Sequence, residues 1–212
     1  MKIDKKFKIM DLGCGNGILS NQLENKFNIK IDRVDVNKET LLLNRRVKGK
    51  LICYNINNKF KKLKNYYDVI FLFDVLEHVK NEINFLKNTL YHLKKDGLLI
   101  INVPSVSVLF SNYDRAVGHL RRYDESDFQI IKKKIKVNLK IIDYWGILLL
   151  PVLLIRKIIL SFYKKEDFKK IIEKGWKTNK FFNFIFKLIM SIEIKFFNNS
   201  LTGTSLMVIF KK

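Results

Sequence analysis

Asp11-Leu12-Gly13-Cys14-Gly15-Asn16-Gly17 follows a short apolar run, Phe7–Leu12, and precedes a stretch with helical periodicity, Ile18–Lys26. A strand that runs into closely spaced glycines and then into a helix is typical of nucleotide-binding folds, because glycine lets the backbone turn tightly and approach a ligand. The G-x-G-x-G spacing is one residue shorter than the dinucleotide fingerprint. A carboxylate at Asp11 suits a cationic amino group and suits a pyrophosphate poorly.

A second acidic residue, Asp35, ends the next predicted strand, Ile29–Val36, 18 residues beyond Gly17. A carboxylate at this position can accept hydrogen bonds from both hydroxyls of a ribose. Taken alone, Asp35 could be an ordinary strand-end aspartate, since aspartate is favoured in turns. Its spacing from the glycine turn favours the ribose interpretation.

Strands alternate with helical stretches through the first two thirds of the chain, which predicts an α/β fold with a parallel sheet covered on both faces. Further helices are predicted at Lys38–Val47, Glu82–Leu93 and Glu125–Lys134, and further strands at Leu51–Ile56, Asp68–Phe73, Leu98–Val103, Val137–Tyr144 and Leu206–Phe210. Lys95-Asp96-Gly97 predicts a turn, and Ser105–Tyr123 a loop.

The segment Trp145–Ser200 lies between the last two predicted strands and is too long for a hairpin connection and too apolar for disorder. It contains two predicted helices, Ile147–Phe162 and Lys180–Phe197. We therefore expect a single domain over residues 1–212, with a helical cap inserted at about 145–200. Charges interrupt the apolar runs, so no transmembrane span is predicted. The helices would cover the active site, form a dimer face or lie on an anionic membrane.

These residues resemble the class I methyltransferases that use S-adenosylmethionine. Met10–Gly17 resembles the first motif of that family, and Val34–Asn37 the second. Phe71–Val79 is similar to the fourth-strand motif of the ubiquinone-biosynthesis-like branch (methyltransferase types 11 and 23), and Leu93–Ile100 to the turn before its fifth strand. The four motifs occur in order and cover roughly residues 7 to 104.

The resemblance implies a Rossmann-like, doubly wound sheet of seven strands in the order 3-2-1-4-5-7-6, the last strand antiparallel. It implies S-adenosyl-L-methionine as cofactor and S-adenosyl-L-homocysteine as product. Asn55 stands near the position where the family often has an acidic residue beside the adenine, and an amide can still hydrogen-bond there. The implied cofactor-binding residues are Asp11, Gly13, Gly15, Gly17, Asp35, Val36, Asn55, Phe73 and Asp74.

Two histidines are candidate catalytic residues, because methyl transfer needs a base only when the acceptor must lose a proton. His78 follows the fourth strand and is either a base or a packing residue. His119 lies in Gly-His-x-Arg-Arg-Tyr, which resembles a stretch in a methyltransferase subgroup often found beside sugar- and lipid-glycan genes. That subgroup likewise ends near Gly-Thr-Ser-Leu, as at Gly203–Leu206 here. Arg121, Arg122 and Tyr123 would bind an anionic acceptor group, unless this is a solvated basic loop.

The net charge is +21, from 41 Lys and Arg against 20 Asp and Glu. Nucleic acid or an anionic membrane could account for it, and so could a coding sequence rich in A and T, since basic charge specifies no partner. The chain lacks an Asn- or Asp-Pro-Pro-Tyr motif and a cysteine placed for attack on pyrimidine C5, so nucleic acid is not favoured. With two cysteines and no signal-peptide pattern, we expect no metal site and a cytoplasmic, or membrane-associated, protein.

The sequence thus predicts a methyltransferase that forms an O-methyl group on a small-molecule or lipid/glycan-linked acceptor. One alternative is a non-catalytic protein of the same fold that binds cofactor or a partner. A nicotinamide-dependent oxidoreductase is a third possibility, opposed by the short glycine spacing and by Asp11. The sequence does not indicate an oligomeric state.

Overall fold

The computed structural model describes residues 5–163, 167–176, 180–196 and 200–212. The chain divides into two compact units. The first comprises Met1–Asn102, Gln129–Ile141 and Val208–Lys212, and the second comprises Val103–Phe128 and Ile142–Met207. The predicted organisation, a single domain with an inserted cap, stays a prediction.

The described residues form a sheet of seven strands, of which the first four along the chain lie wholly in the first unit. The seven strands are β1 Ile9–Leu12, β2 Ile31–Asp35, β3 Leu51–Cys53, β4 Tyr67–Phe73, β5 Leu93–Pro104, β6 Asn138–Trp145 and β7 Ser205–Lys211. Their order is β3-β2-β1-β4-β5-β7-β6. The pairs among β1 to β5 are parallel, and β7 runs antiparallel to its neighbours. The predicted fold class is confirmed.

Helices follow most of the strands in the first unit, as a parallel sheet requires. They are α1 Ile18–Phe27, α2 Lys38–Leu42 and α3 Glu82–His92, with most of α5 Glu125–Ile135. All four residues of β1 are buried, and so are the apolar residues at the centre of β4, Val69 to Leu72. Strands buried on both faces read as continuous apolar runs, which is why β4 was plain in the sequence.

Helix α2 is shorter than predicted, ending at Leu42 rather than Val47. The side chain of Asn44 donates through Nδ2 to the carbonyl oxygen of Leu41 at 3.0 Å. Arg46 has a left-handed φ of 53°, which a right-handed helix does not contain. The polar side chain just after the helix thus bonds back to its last turn, a contact that helical periodicity does not encode.

The predicted turn at Lys95–Gly97 is wrong, because these residues lie inside β5. The register along β4 jumps from Tyr67 opposite Leu93 to Val69 opposite Leu98, and Asp96 has a left-handed φ of 64°. The Lys-Asp-Gly sequence therefore makes a bulge that the strand continues through. The strand predicted at Leu51–Ile56 also ends early, at Cys53.

The second unit contains more helix than predicted. The expected loop Ser105–Tyr123 includes a 3₁₀ turn, Ser107–Leu109, and α4 Asn112–Ala116. The apolar segment contains α6 Leu150–Ser161, α7 Phe168–Trp176 and α8 Lys180–Phe196, so α7 was missed. Phe197, the predicted end of the last helix, lies outside the described residues. Among the described residues, no helix is long and apolar enough to cross a membrane.

Gly203, which begins the Gly203–Leu206 motif, and Gly146 both occupy positions where a side chain would not fit. A Cβ on Gly203 would lie 2.3 Å from the carbonyl oxygen of Trp145, and one on Gly146 would lie 2.1 Å from Oγ1 of Thr204. Ser105 donates through Oγ to the carbonyl oxygen of Gly203 at 2.6 Å. The motif therefore allows close backbone packing inside the second unit.

Candidate functional site

A cavity of about 320 Å³ opens in the first unit, beyond the carboxyl ends of β1 to β4. This is the edge at which open α/β sheets bind ligands. Ile56, Val79 and Phe85 contribute apolar wall. Six residues predicted for the site line the cavity: Gly13, Asp35, Val36, Asn55, Asp74 and His78.

The glycine turn between β1 and α1 uses its glycines for different purposes. Gly13, Gly15 and Gly17 all have left-handed φ values, of 79°, 55° and 71°. A Cβ on Gly13 would lie 2.5 Å from Cγ2 of Val75, whereas a Cβ on Gly15 would meet nothing within 4 Å. Gly13 thus permits close packing, and Gly15 leaves open space beside the backbone.

Gly17 has a packing role. A Cβ at this position would lie 1.8 Å from Oδ1 of Asn44 and 2.5 Å from Nη1 of Arg33. Gly17 does not line the cavity. The third glycine of the motif is therefore required by the side chains on which the turn rests.

Asp35 is held rigidly at the end of β2. Its Oδ2 accepts a hydrogen bond from the amide of Gly15 at 3.0 Å, and its Oδ1 accepts one from the amide of Asn37 at 2.8 Å. A carboxylate has about four acceptor sites, so both oxygens keep capacity for another donor. The geometry suits a ligand with two neighbouring hydroxyl groups.

Asp11 is buried behind the cavity, with 5% of its surface exposed, and is not among the lining residues. Ser20 donates through Oγ to its Oδ2. Burial raises the pKa of Asp11 to about 6, against the lowering effects of the Ser20 hydrogen bond and of Arg33. A cationic group nearby would favour the ionised carboxylate.

Phe73 is the last residue of β4, and Asp74 follows it. Asp74 has a left-handed φ of 55°, and its Oδ1 accepts a hydrogen bond from Nδ2 of Asn102 at 2.9 Å. Phe73 stacks on Phe71 with ring centroids 5.0 Å apart and does not line the cavity. Asp74 is thus presented to the cavity, while Phe73 supports the strand end.

Tyr54 is a lining residue that the sequence analysis missed. Its hydroxyl accepts a hydrogen bond from the amide of Phe60 at 2.6 Å and bonds Nε2 of His92 at 3.0 Å. Nδ1 of His92 bonds the carbonyl oxygen of Asn88 at 2.8 Å, and burial lowers the pKa of this histidine. His92 therefore anchors Tyr54, whereas His78 is exposed at the cavity.

The second unit contains a charged cluster around the buried carboxylate of Asp114. Oδ1 lies 3.2 Å from Nδ1 of His119 and 2.8 Å from Nη2 of Arg122. Oδ2 accepts hydrogen bonds from the amide and the hydroxyl of Ser111, at 2.8 and 2.7 Å. Burial opposes ionisation of Asp114, but the hydrogen bonds and the Arg122 guanidinium outweigh it and hold its pKa well below the ordinary value.

The residues predicted to bind the acceptor differ in exposure. Arg122 is buried, and its Nη1 donates to the carbonyl oxygen of Ser105 at 3.1 Å. Tyr123 is 1% exposed, with its ring centroid 5.4 Å from that of Phe128. Arg121 is partly exposed. Arg122 and Tyr123 thus have internal roles, and Asp114, which organises the cluster, was not singled out from the sequence.

A seven-stranded sheet in this order, with a glycine turn after β1 and an acidic residue at the end of β2, is the arrangement of the Rossmann-like methyltransferases. A family model described as a methyltransferase domain matches residues 2–175. The chain belongs to this family.

Relatives agree with that assignment. The chain is 35% identical over 101 residues to a ubiquinone biosynthesis O-methyltransferase of Rickettsia canadensis, a match covering 46% of this chain and 42% of the relative. The chain therefore spans about two fifths of the length of the curated relatives that it matches.

Solved structures share the fold. A SAM-dependent methyltransferase from Archaeoglobus fulgidus has a TM-score of 0.59 at 16% identity, covering 98% of this chain and 87% of that one. Phosphoethanolamine N-methyltransferase 2 of Haemonchus contortus, in complex with S-adenosyl-L-methionine, has a TM-score of 0.62 at 15% identity, covering 99% of this chain and 49% of that one.

The cofactor of this class, S-adenosyl-L-methionine, fits the residues present. Gly15 leaves open space where a side chain would project. Asp35 can accept from two hydroxyls, and the apolar wall with Asn55 suits an aromatic base that also hydrogen-bonds. The cavity therefore offers groups that suit both the ribose and the aromatic base of this family's cofactor.

Proposed function

We propose that this chain methylates an oxygen atom of a small-molecule or lipid/glycan-linked acceptor. The observation that carries this proposal is the orientation of His119 by Asp114, 3.2 Å apart. A carboxylate at Nδ1 fixes the tautomer in which Nδ1 carries the proton, so that Nε2 can accept one from a hydroxyl. The Rickettsia relatives are named as O-methyltransferases, which supports methyl transfer to an oxygen atom.

When bound, S-adenosylmethionine supplies an electrophilic methyl group on a sulfonium. The glycine turn and Asp35 would bind and orient it, and Asp11 would offset the charge of its amino group. His119 would take the acceptor's proton as the new carbon–oxygen bond forms and the carbon–sulfur bond breaks. Asp114 would stabilise the imidazolium that results, as the carboxylate of a histidine–aspartate pair does.

His78 is the alternative base. It lines the same cavity as Asp35 and Asp74, and an imidazole there could accept a proton from an acceptor hydroxyl. Single replacements of the two histidines distinguish them.

Arg121 is the residue that we propose for binding an anionic part of the acceptor. Arg122 and Tyr123 would shape the same stretch from beneath, since both are buried. A guanidinium suits a carboxylate or a phosphate, because its donors form a planar fork. The acceptor would therefore carry an acidic group beside the hydroxyl that is methylated.

Removal of the Asp35 carboxylate tests cofactor binding. Asp35→Ala is expected to weaken S-adenosylhomocysteine about 10- to 100-fold, since hydrogen bonds to a charged acceptor contribute about 1.5–3 kcal/mol each. Titration calorimetry measures the affinity, and thermal unfolding of the ligand-free variant shows whether it is folded. An unchanged affinity in a folded variant would remove Asp35 from the ribose site.

A lipid character of the acceptor is supported by the surface of the second unit. On α6, the side chains of Leu154, Ile155, Ile158 and Ile159 are exposed along one face, and Phe162 follows them. On α8, exposed apolar residues lie next to Lys187 and Lys195 in the sequence. Apolar side chains with lysines beside them suit the headgroup region of an anionic bilayer.

Co-sedimentation with vesicles tests this membrane contact. We expect the protein to bind phosphatidylglycerol vesicles at low salt and to bind phosphatidylcholine vesicles much less. Replacing Ile155 and Ile158 together with Asn should lower binding about 100-fold or more, because about 1.5–3 kcal/mol of apolar burial is lost for each residue. Leu42→Asn, at a leucine of the first unit that is exposed at least as much as the two isoleucines, is the control. Equal binding of both variants would contradict the contact.

A further inference from the structure

A buried polar network lies against the glycine turn. Arg33, on β2, is fully buried, and its Nη2 lies 2.5 Å from Oε2 of Glu24 on α1. The same nitrogen donates to Oδ1 of Asn21 at 2.8 Å, and Nη1 donates to Oδ1 of Asn44 at 3.0 Å. Buried charges persist when they are paired and hydrogen-bonded in this way.

Asn44 connects this network to the glycine turn through hydrogen bonds. Its Nδ2 donates to the carbonyl oxygen of Gly15 at 2.8 Å and to that of Leu41 at 3.0 Å. Its Oδ1 faces the guanidinium of Arg33, which is only a donor, and its Nδ2 faces carbonyl oxygens, which are only acceptors. The orientation of the amide is therefore uniquely determined by its neighbours.

Gly15 is consequently held on both sides of its Cα by side chains. Its N–H donates to Asp35 at 3.0 Å, and its carbonyl oxygen accepts from Asn44 at 2.8 Å. Gly15 adopts a φ of 55° with open space beside it, so packing alone does not fix its backbone. Asn44 also abuts Gly17, where a Cβ would lie 1.8 Å from Oδ1.

We propose that Asn44 is a positioning residue for the cofactor site, which fixes the Gly15 peptide through its side-chain amide while Arg33 fixes the amide. This inference rests on the proposed use of S-adenosylmethionine. An amide suits the position because it presents an acceptor to Arg33 and a donor to a carbonyl at the same time. A carboxylate of the same shape would keep the first contact and lose the second.

Asn44→Asp separates the two contacts. Its carboxylate still accepts from Arg33 and so preserves the buried network, but it places an acceptor against the carbonyl oxygen of Gly15. We expect S-adenosylhomocysteine to bind about tenfold more weakly or worse, in a variant that thermal unfolding shows to be folded. Asn44→Ser, which removes the amide without adding charge, is expected to weaken binding in the same direction.

The matched control is Asn21→Asp. It makes the same chemical change at the other asparagine that bonds Arg33, and should leave the affinity within about twofold of the wild type. Affinity is measured by titration calorimetry and stability by thermal unfolding. Equal losses of affinity in the Asn21 and Asn44 variants, or a folded Asn44 variant that binds as the wild type does, would overturn the proposal. Failure of the wild type to bind would instead refute the proposed function.

Discussion

Asp114→Ala is expected to lower the free energy of unfolding by about 3–5 kcal/mol, since removing one partner of a buried ion pair leaves the other charge uncompensated. Asp114 is fully buried and bonds Arg122, which is itself 7% exposed. The variant would also remove the carboxylate that accepts hydrogen bonds from the hydroxyl and the amide of Ser111. Urea unfolding followed by fluorescence measures the change. The control is Asp167→Ala, which removes a partly exposed pair with Lys170 at 3.8 Å and should cost less than about 1 kcal/mol.

The same residue predicts a pH dependence. The pKa of Asp114 in the folded protein lies below its ordinary value, so its stabilising contribution is present above the unfolded pKa of about 3.9 and is lost as pH falls below about 4. The free energy of unfolding of the wild type should therefore approach that of Asp114→Ala as the pH falls through this range. A stability difference between the two proteins that is the same at pH 7 and pH 3 would contradict the pairing.

His119→Ala is expected to lower methyl transfer about 10²- to 10⁴-fold, which is the usual contribution of a general base. Binding of S-adenosylhomocysteine should be unchanged. The measurement is incorporation of labelled methyl from S-adenosylmethionine into a lipid extract that the wild type methylates. His78→Ala is the matched variant, because His78 is the other candidate. Full activity of His119→Ala together with inactivity of His78→Ala would transfer the role of the base to His78.

The sequence was sufficient for the features that depend on local pattern. The alternation of apolar strands and helices predicted the sheet, because the spacing of apolar residues within each element indicates whether it is a strand or a helix. The glycine turn and Asp35 could be placed because both lie at strand ends, where neighbouring parallel strands bring their carboxyl ends together. Five of the nine predicted cofactor residues line the cavity.

The features that the sequence did not reveal depend on contacts between distant residues. In the sequence, Asn44 is one polar residue inside the predicted helix Lys38–Val47, yet it bonds Gly15, 29 positions away. Asp114 stands in a polar stretch and becomes central only because Ser111, His119 and Arg122 converge on it. The predicted turn at Lys95–Gly97 failed because a bulge and a turn use the same residue types.

Titration of the purified protein with S-adenosylhomocysteine, S-adenosylmethionine and NAD tests the central claim most directly. We predict that both sulfur ligands bind at one site per chain and compete with each other, and that NAD does not displace them. The short glycine spacing and the carboxylate of Asp11, which suits a cationic amino group and not a pyrophosphate, are the reasons for this preference. Tight binding of NAD, with no response to either sulfur ligand, would contradict the assignment of this cavity to S-adenosylmethionine.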